Sequence, residues 1–227
     1  LKKKEIKKIF IYVYKNEINK NFIIKTNKIE YCFKKDFCFF ESDLIFITSS
    51  SHSHYHYLEK YQKLNKYIFC EKPGVVNSKQ YNLLKKIIKK NHKIYFNFNE
   101  NFSIIKKKIV QDIKNKNYGK TIYIDFSYSN GISGKKIMRN NWRFNSNNIF
   151  NKISGNLGIH YIFFLISHFG KPIKVLKKTL SIHKNSDTAF IYMQFKNFYS
   201  TINLSYSSCT RDEITLKQQN NISKMVN

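Results

Sequence analysis

The chain has 227 residues, enough for one large domain or two modest ones. Its formal charge is +27, the dense positive charge that ordinarily marks phosphate binding. Yet only Arg139, Arg143 and Arg211 are arginines, the side chain suited to bidentate phosphate and base contacts. The other 38 basic residues are lysines, spread along the chain among 27 asparagines, which argues for a solvated surface and against specific nucleic-acid recognition. Cys32, Cys38, Cys70 and Cys209 show neither CxxC pairing nor metal-ligand spacing, and no signal peptide is evident at Leu1, so a reducing cytoplasm is expected. The longest apolar stretch, 159–166, falls short of the roughly 20 residues a membrane span needs, so a soluble protein is expected.

In chain order, 6–14 alternates lysine with Ile, Phe, Tyr and Val and predicts a strand, whereas 16–33 fits a weak helix or a loop. Asp43–Thr48 predicts a buried strand, followed by a polar turn over Ser49–His54 and a helix over 56–66. Tyr67–Cys70 is a second apolar strand, running directly into Glu71-Lys72-Pro73. A helix with Ser78 as N-cap is expected over 78–91, with Tyr81, Leu83, Leu84, Ile87 and Ile88 at helical period, then a strand over 93–98. A further helix, 103–116, buries Ile105, Ile109, Val110 and Ile113. After Gly119 the pattern becomes strands over 121–128, 174–183, 188–195 and 199–206, interrupted by a helix over 159–169. Alternating β and α followed by a run of strands predicts two differently built domains, 1–98 and 99–227. The fold class expected is α/β: a partial Rossmann domain with a parallel sheet, then an α+β domain with an open, mostly antiparallel sheet.

One lysine among 38 is ordinarily a surface group. Lys72 differs because a strand–helix–strand unit presents it at the carboxyl edge of a parallel sheet, where ligands bind in open α/β folds. There, burial and a neighbouring positive charge lower a lysine's pKa toward neutrality and suit it to acid/base work. His160 and Asn156, four residues apart, share a face if their helix begins early, and a polar pair opening an apolar helix suits the wall of a site. A capping Asn and a core histidine are the alternative. Trp142 and Arg143 fit either carboxylate or phosphate binding or plain packing. His52, His54 and His56 alternate on the expected turn without a nearby carboxylate or cysteine, and no metal site is expected.

These residues resemble a known family. Ile47-Thr-Ser-Ser-Ser-His-Ser-His54, then Cys70-Glu-Lys-Pro73, is similar to the signature of the Gfo/Idh/MocA oxidoreductases, which reads roughly I-A-T-P-N-x-x-H, a helix, then V-x-x-E-K-P. Phe96-Asn-Phe-Asn99-Glu-Asn-Phe102 resembles the family's strand ending in N-x-R-F, with Asn101 where Arg is usual. Tyr118-Gly-Lys120 resembles its entry to the second domain, and 155–170 its D/N-x-G-x-H-x-x-D helix, with Phe163 where a second Asp is frequent. The resemblance implies an NAD- or NADP-binding domain and hydride transfer at a sugar or nucleotide-sugar carbon, with a role in surface polysaccharide synthesis among the expectations. It implies Lys72 as acid/base, and His160 with Asn156 in the substrate site. It further implies Ser49, Ser50, Ser51, His54 and Glu71 beside Lys72 along the cofactor, Asn99, Trp142 and Arg143 toward the substrate, and a homo-oligomer. The sequence contains no Gly-x-Gly-x-x-Gly, and Tyr14-Lys15 stands where an acidic ribose-binding residue is expected, which suits NADP or no cofactor. A truncated or inactive relative, and a basic nucleic-acid-binding module, are the alternative readings.

Overall fold

The computed structural model describes residues 6–12, 26–32, 35–90, 93–132, 152–182, 187–209 and 211–226. The chain divides into two compact units, Leu1–Asn97 and Phe98–Asn227.

In the first unit, β1 (Ile9–Tyr12) pairs in parallel with β2 (Ile29–Cys32). The β2 strand and the helix α1 (Lys35–Glu41) lie where the sequence pattern offers a weak helix or loop or nothing regular. A second parallel sheet has the order β3-β4-β5, from Leu44–Ile47, Tyr67–Glu71 and Ile94–Asn97. Strand alternation sends Ile45, Ile47, Ile68, Cys70 and Ile94 to one face, where they pack with Tyr55, Tyr57, Leu58 and Tyr61 of α2 (Ser51–Tyr61) and Leu84 of α3 (Ser78–Lys90). The opposite face carries a ladder of aromatic rings: Phe46 on Phe69 at 5.5 Å, and Phe69 on Tyr95 at 5.1 Å.

Two local expectations need correction. The Ser/His stretch is not a turn: α2 begins at Ser51, because the Ser50 carbonyl accepts both the Ser53 amide (2.9 Å) and the Ser53 hydroxyl (2.8 Å). Ser78 is not the cap of α3. Asn77 Oδ1 accepts the Gln80 amide at 2.9 Å while the Gln80 side chain accepts the Val76 amide at 2.9 Å, a reciprocal cap one residue earlier.

The second unit is built on a six-stranded sheet of order β11-β10-β6-β9-β8-β7. Its strands are β6 (Thr121–Ser129), β7 (Lys174–Leu180), β8 (Thr188–Gln194), β9 (Tyr199–Ser205), β10 (Arg211–Gln218) and β11 (Asn221–Val226). All neighbours run antiparallel except β6 and β9. Strands β10 and β11 go beyond those expected; their signal is Ile214 and Leu216 alternating with polar residues, ahead of the Gln219-Asn220 turn. One sheet face carries Ile124, Phe126, Ile191, Met193, Ile202, Leu204, Ile214 and Leu216, covered by Ile109 and Val110 of α4 (Ile104–Asn115) and Phe164 and Leu165 of α5 (Gly158–Phe169). Lys116, with a φ of 52°, ends α4 in the left-handed conformation, and Gly119, with a φ of 80°, follows. Among the described residues, no helix is long and apolar enough to cross a membrane.

Candidate functional site

In the first unit, candidate functional side chains gather at and beyond the carboxyl ends of β3 and β4. Lys72 directly follows the last residue of β4, the central strand of its sheet, and is half-buried. The segment around it is fixed on both sides. Glu71 Oε1 accepts a hydrogen bond from Asn97 Nδ2 at the end of β5, at 2.6 Å. Gly74 lies against the Phe96 ring so closely that an added Cβ would sit 2.2 Å from Cε1. Pro73 is buried, and its carbonyl faces His54 Nδ1 at 2.7 Å. The Lys72–Pro73 peptide bond is cis. Cys70, one residue inside the strand, packs as a small apolar group; burial first, and the Glu71 charge second, push its thiol up to about 12.

On the neighbouring strand end, Ser49 and Ser50 are exposed and Ser51 half-buried, at the N-terminus of the 11-residue helix α2. The Ser50 side chain makes no cap hydrogen bond, whereas the Ser49 hydroxyl shares one with Ser53 at 2.6 Å. Amides at a helix N-terminus and small hydroxylic side chains at a parallel sheet's carboxyl edge suit the polar part of a nucleotide. His54 is placed differently from its neighbours. It is 1% exposed, with Nε2 2.8 Å from the Ser49 carbonyl and Nδ1 on Pro73, so its ring faces main chain on both sides. His52 and His56 are exposed on α2. Among the described residues, no cluster of three His, Cys, Asp or Glu could hold a metal.

In the second unit, Asn156 closes a separate turn, Ile153–Asn156, and Leu157 interrupts it before α5 begins at Gly158. The four-residue spacing to His160 is therefore not one continuous helix face, a correction to the expected pairing. The Asn156 amide donates to the Tyr206 hydroxyl at 3.0 Å. Tyr206 is itself held through its amide by the carbonyl of Asp187, whose carboxylate is wholly buried and accepts from the Ile182 amide and the Ser207 hydroxyl. Tyr206 and Asp187 carry no sequence signal of a site; only the fold brings a residue fifty positions away onto Asn156. The edge of the Phe98 ring meets His160 at 6.3 Å, and Phe98 stacks on Phe163 at 3.7 Å. A flat aromatic pair thus occupies the position where the resemblance leads one to expect a second carboxylate. Asn99 is exposed in a short 3-10 turn, and Trp142 and Arg143 lie outside the described residues.

The other face of the six-stranded sheet is polar. Asp125 Oδ1 accepts from Asn203 Nδ2 (2.7 Å), Tyr123 (3.0 Å) and Thr201, and Oδ2 accepts from Ser127 (2.7 Å). A groove of about 220 Å³ lies there, lined among others by Ser127, Lys178, Asn203, Ser205 and Arg211. Three of its groups are already engaged, Ser127 with Asp125, Ser205 with Thr188, and Arg211 with Glu213.

Comparison with known proteins follows this geometry. Residues 11–98 match the model of the Gfo/Idh/MocA family, described as an oxidoreductase family with an NAD-binding Rossmann fold. Among solved structures, the chain is similar to a myo-inositol 2-dehydrogenase from Lactobacillus plantarum, with a TM-score of 0.76 at 16% identity, covering 87% of this chain and 62% of that one. It is also similar to an apo scyllo-inositol dehydrogenase from Lactobacillus casei, with a TM-score of 0.73 at 16% identity, covering 87% and 61%. A UDP-N-acetylglucosamine 3-dehydrogenase from Acidithiobacillus ferrooxidans matches with a TM-score of 0.70 at 13% identity, covering 87% and 62%. At these identities the likeness shows the fold alone, and the chain spans under two thirds of the length of these proteins. No curated protein sequence matches.

Proposed function

Because this chain belongs, through residues 11–98, to the Gfo/Idh/MocA oxidoreductase family, we propose that it acts as an NAD(P)-dependent dehydrogenase. The substrate class is a sugar, cyclitol or nucleotide-linked sugar, the kind of molecule named for the structurally similar proteins. The observation that carries this reading is Lys72: a half-buried lysine at the carboxyl end of a central parallel strand, in a segment held by Glu71–Asn97, Pro73–His54 and the close approach of Gly74 to Phe96. The residues present fit the polar, ribose-facing part of the cofactor through Ser49–Ser51, while the sequence offers no glycine-rich turn for a pyrophosphate.

When bound, NAD or NADP supplies the hydride acceptor, and the protein supplies orientation and proton transfer. As the neutral amine, Lys72 takes the proton of the substrate hydroxyl on Nζ as its carbon is oxidised, and as the ammonium it returns that proton in the reverse reaction. In the second unit, His160 and Asn156 are proposed as substrate-side groups, with the Asn156 amide donating to the Tyr206 hydroxyl. The polar face of the six-stranded sheet is proposed as the surface on which copies associate.

The test is NADH and NADPH binding by nicotinamide fluorescence, followed by turnover on a panel of inositols and nucleotide sugars. Binding with turnover is expected. Lys72→Ala should lower kcat by about a thousandfold, within the usual range for a lost acid/base group, with cofactor affinity little changed. Full turnover in that variant, or no cofactor binding by the wild-type chain, overturns the reading.

A further inference from the structure

We propose that His54 is a positioning residue that joins the two strand ends of the first unit and thereby sets the place of Lys72, an inference that rests on the reading of Lys72 as the acid/base. The physical problem it solves arises where the ladder stops. Strands β3 and β4 pair in register only as far as Ile47 and Cys70, so beyond those residues the two strands no longer bond to each other, although Glu71 still pairs with Asn97 of β5. Pro73, lacking an N–H, cannot extend the ladder from its side. Buried carbonyls left unsatisfied are costly, and a segment without ladder bonds to its neighbour needs other contacts to fix its path.

The imidazole of His54 fills this gap from the crossover helix. Its Nε2 lies 2.8 Å from the Ser49 carbonyl, and its Nδ1 lies 2.7 Å from the Pro73 carbonyl. Both partners are main-chain acceptors, so the ring reads no side chain: a neutral imidazole donates to one of them, and the protonated ring donates to both. The ring is 1% exposed, which keeps water from replacing it. One contact lies on the turn that carries the exposed Ser49 and Ser50, and the other lies on the residue following Lys72. A displacement at either end is thus transmitted to the other through a rigid five-membered ring. His54 touches neither substrate nor cofactor on this account, in contrast to the cofactor-side role its sequence position suggests.

The experiment compares wild type, His54→Phe, which keeps a planar ring but removes both nitrogens, and His54→Gln, which keeps an amide donor. Hydrogen exchange by mass spectrometry reports the segments 47–51 and 71–76, and peptide mapping after limited acetylation reports the rate at Lys72. In His54→Phe, exchange in both segments and acetylation of Lys72 should each rise about tenfold, the factor expected when one buried hydrogen bond is lost. Lys224, in the other unit, should acetylate at an unchanged rate, and His54→Gln should recover part of the effect at Lys72. With turnover, kcat should fall in His54→Phe while the substrate KM stays within about threefold, the signature of a misplaced catalytic group. Unchanged acetylation of Lys72 in His54→Phe, or faster exchange at only one of the two segments, overturns the proposal. If His54→Phe does not fold, His54→Gln carries the same measurements. These readouts need no cofactor, so failure of the dehydrogenase reading, seen in Lys72→Ala or in cofactor binding, is told apart from failure of the brace.

Discussion

The two units fix their polar groups in opposite ways. In the first, the parallel strands are four or five residues long, and the candidate functional side chains lie at or past a strand end. There the ladder supplies nothing, and position depends on single contacts: one imidazole, one amide on Glu71, one glycine against one ring. In the second, strands of six to nine residues alternate between a deep apolar face and a polar one, and Asp125 is held by donors from its own and the adjacent strand. The lesson is that chemistry placed beyond strand ends is cheap to reposition and easy to damage, whereas polar groups on a broad sheet face share in its cooperativity.

The contrast can be broken most forcefully from the second unit. Phe164 is fully buried between α5 and the sheet, against Phe126 and Tyr161's neighbourhood in the core, so Phe164→Ala should cost about 3–5 kcal/mol. Denaturant unfolding should register that loss, and hydrogen exchange should rise across the whole six-stranded sheet. Exchange confined to α5 would show that the sheet does not behave as one cooperative body. Next in size is Gly74→Ala. The new methyl would meet Phe96 at 2.2 Å and force that ring to move, a cost of about 1–3 kcal/mol. Faster exchange should stay within residues 71–76 and 94–97, and spread into α2 and α3 would show that the strand-end segment is as cooperative as the core.

The smallest effect tests surface charge. Hydrogen bonds from Lys224 first and Arg211 second hold the Glu213 carboxyl below its usual range. A carboxylate with a depressed folded pKa adds stability that is present above its unfolded value, near 4.5, and is lost as pH falls below it. Glu213→Gln should therefore lower Tm slightly at neutral pH and progressively less as pH falls below 4.5, as followed by circular dichroism. An equal loss at every pH would point to packing instead of charge.

Much of this architecture was legible in the residues. The β3–α2–β4 unit reads clearly because short apolar strands end in a charged tripeptide, and the face of α4 reads from the helical spacing of Ile105, Ile109, Val110 and Ile113. Strand β2 did not, since Ile29-Glu-Tyr-Cys is too short to show a period. Strands β10 and β11 were hidden by the charged side chains that their polar face requires. The start of α2 was masked because serine and histidine favour turns in isolation, and only the bonds to the Ser50 carbonyl reveal a helix. Lys72 could be found from its strand, but what holds it could not: His54 reaches Pro73 nineteen residues on, and Tyr206 reaches Asn156 across fifty. Sequence periodicity reports which face is buried; it is silent about contacts made where regular structure ends.

Strand β7 has a consequence of another kind. It stands at the edge of the six-stranded sheet and is exposed along its whole length, including Val175, Leu176 and Leu180. Bare apolar edges invite pairing with the edge of another molecule, and charge along the strand is the usual deterrent. Lys174, Lys177 and Lys178 supply that charge. The lysine richness that looked like mere composition therefore acts here as a gatekeeper against fibrous stacking. Its strength is electrostatic and is set by ionic strength, so the solution conditions decide how well this edge stays alone.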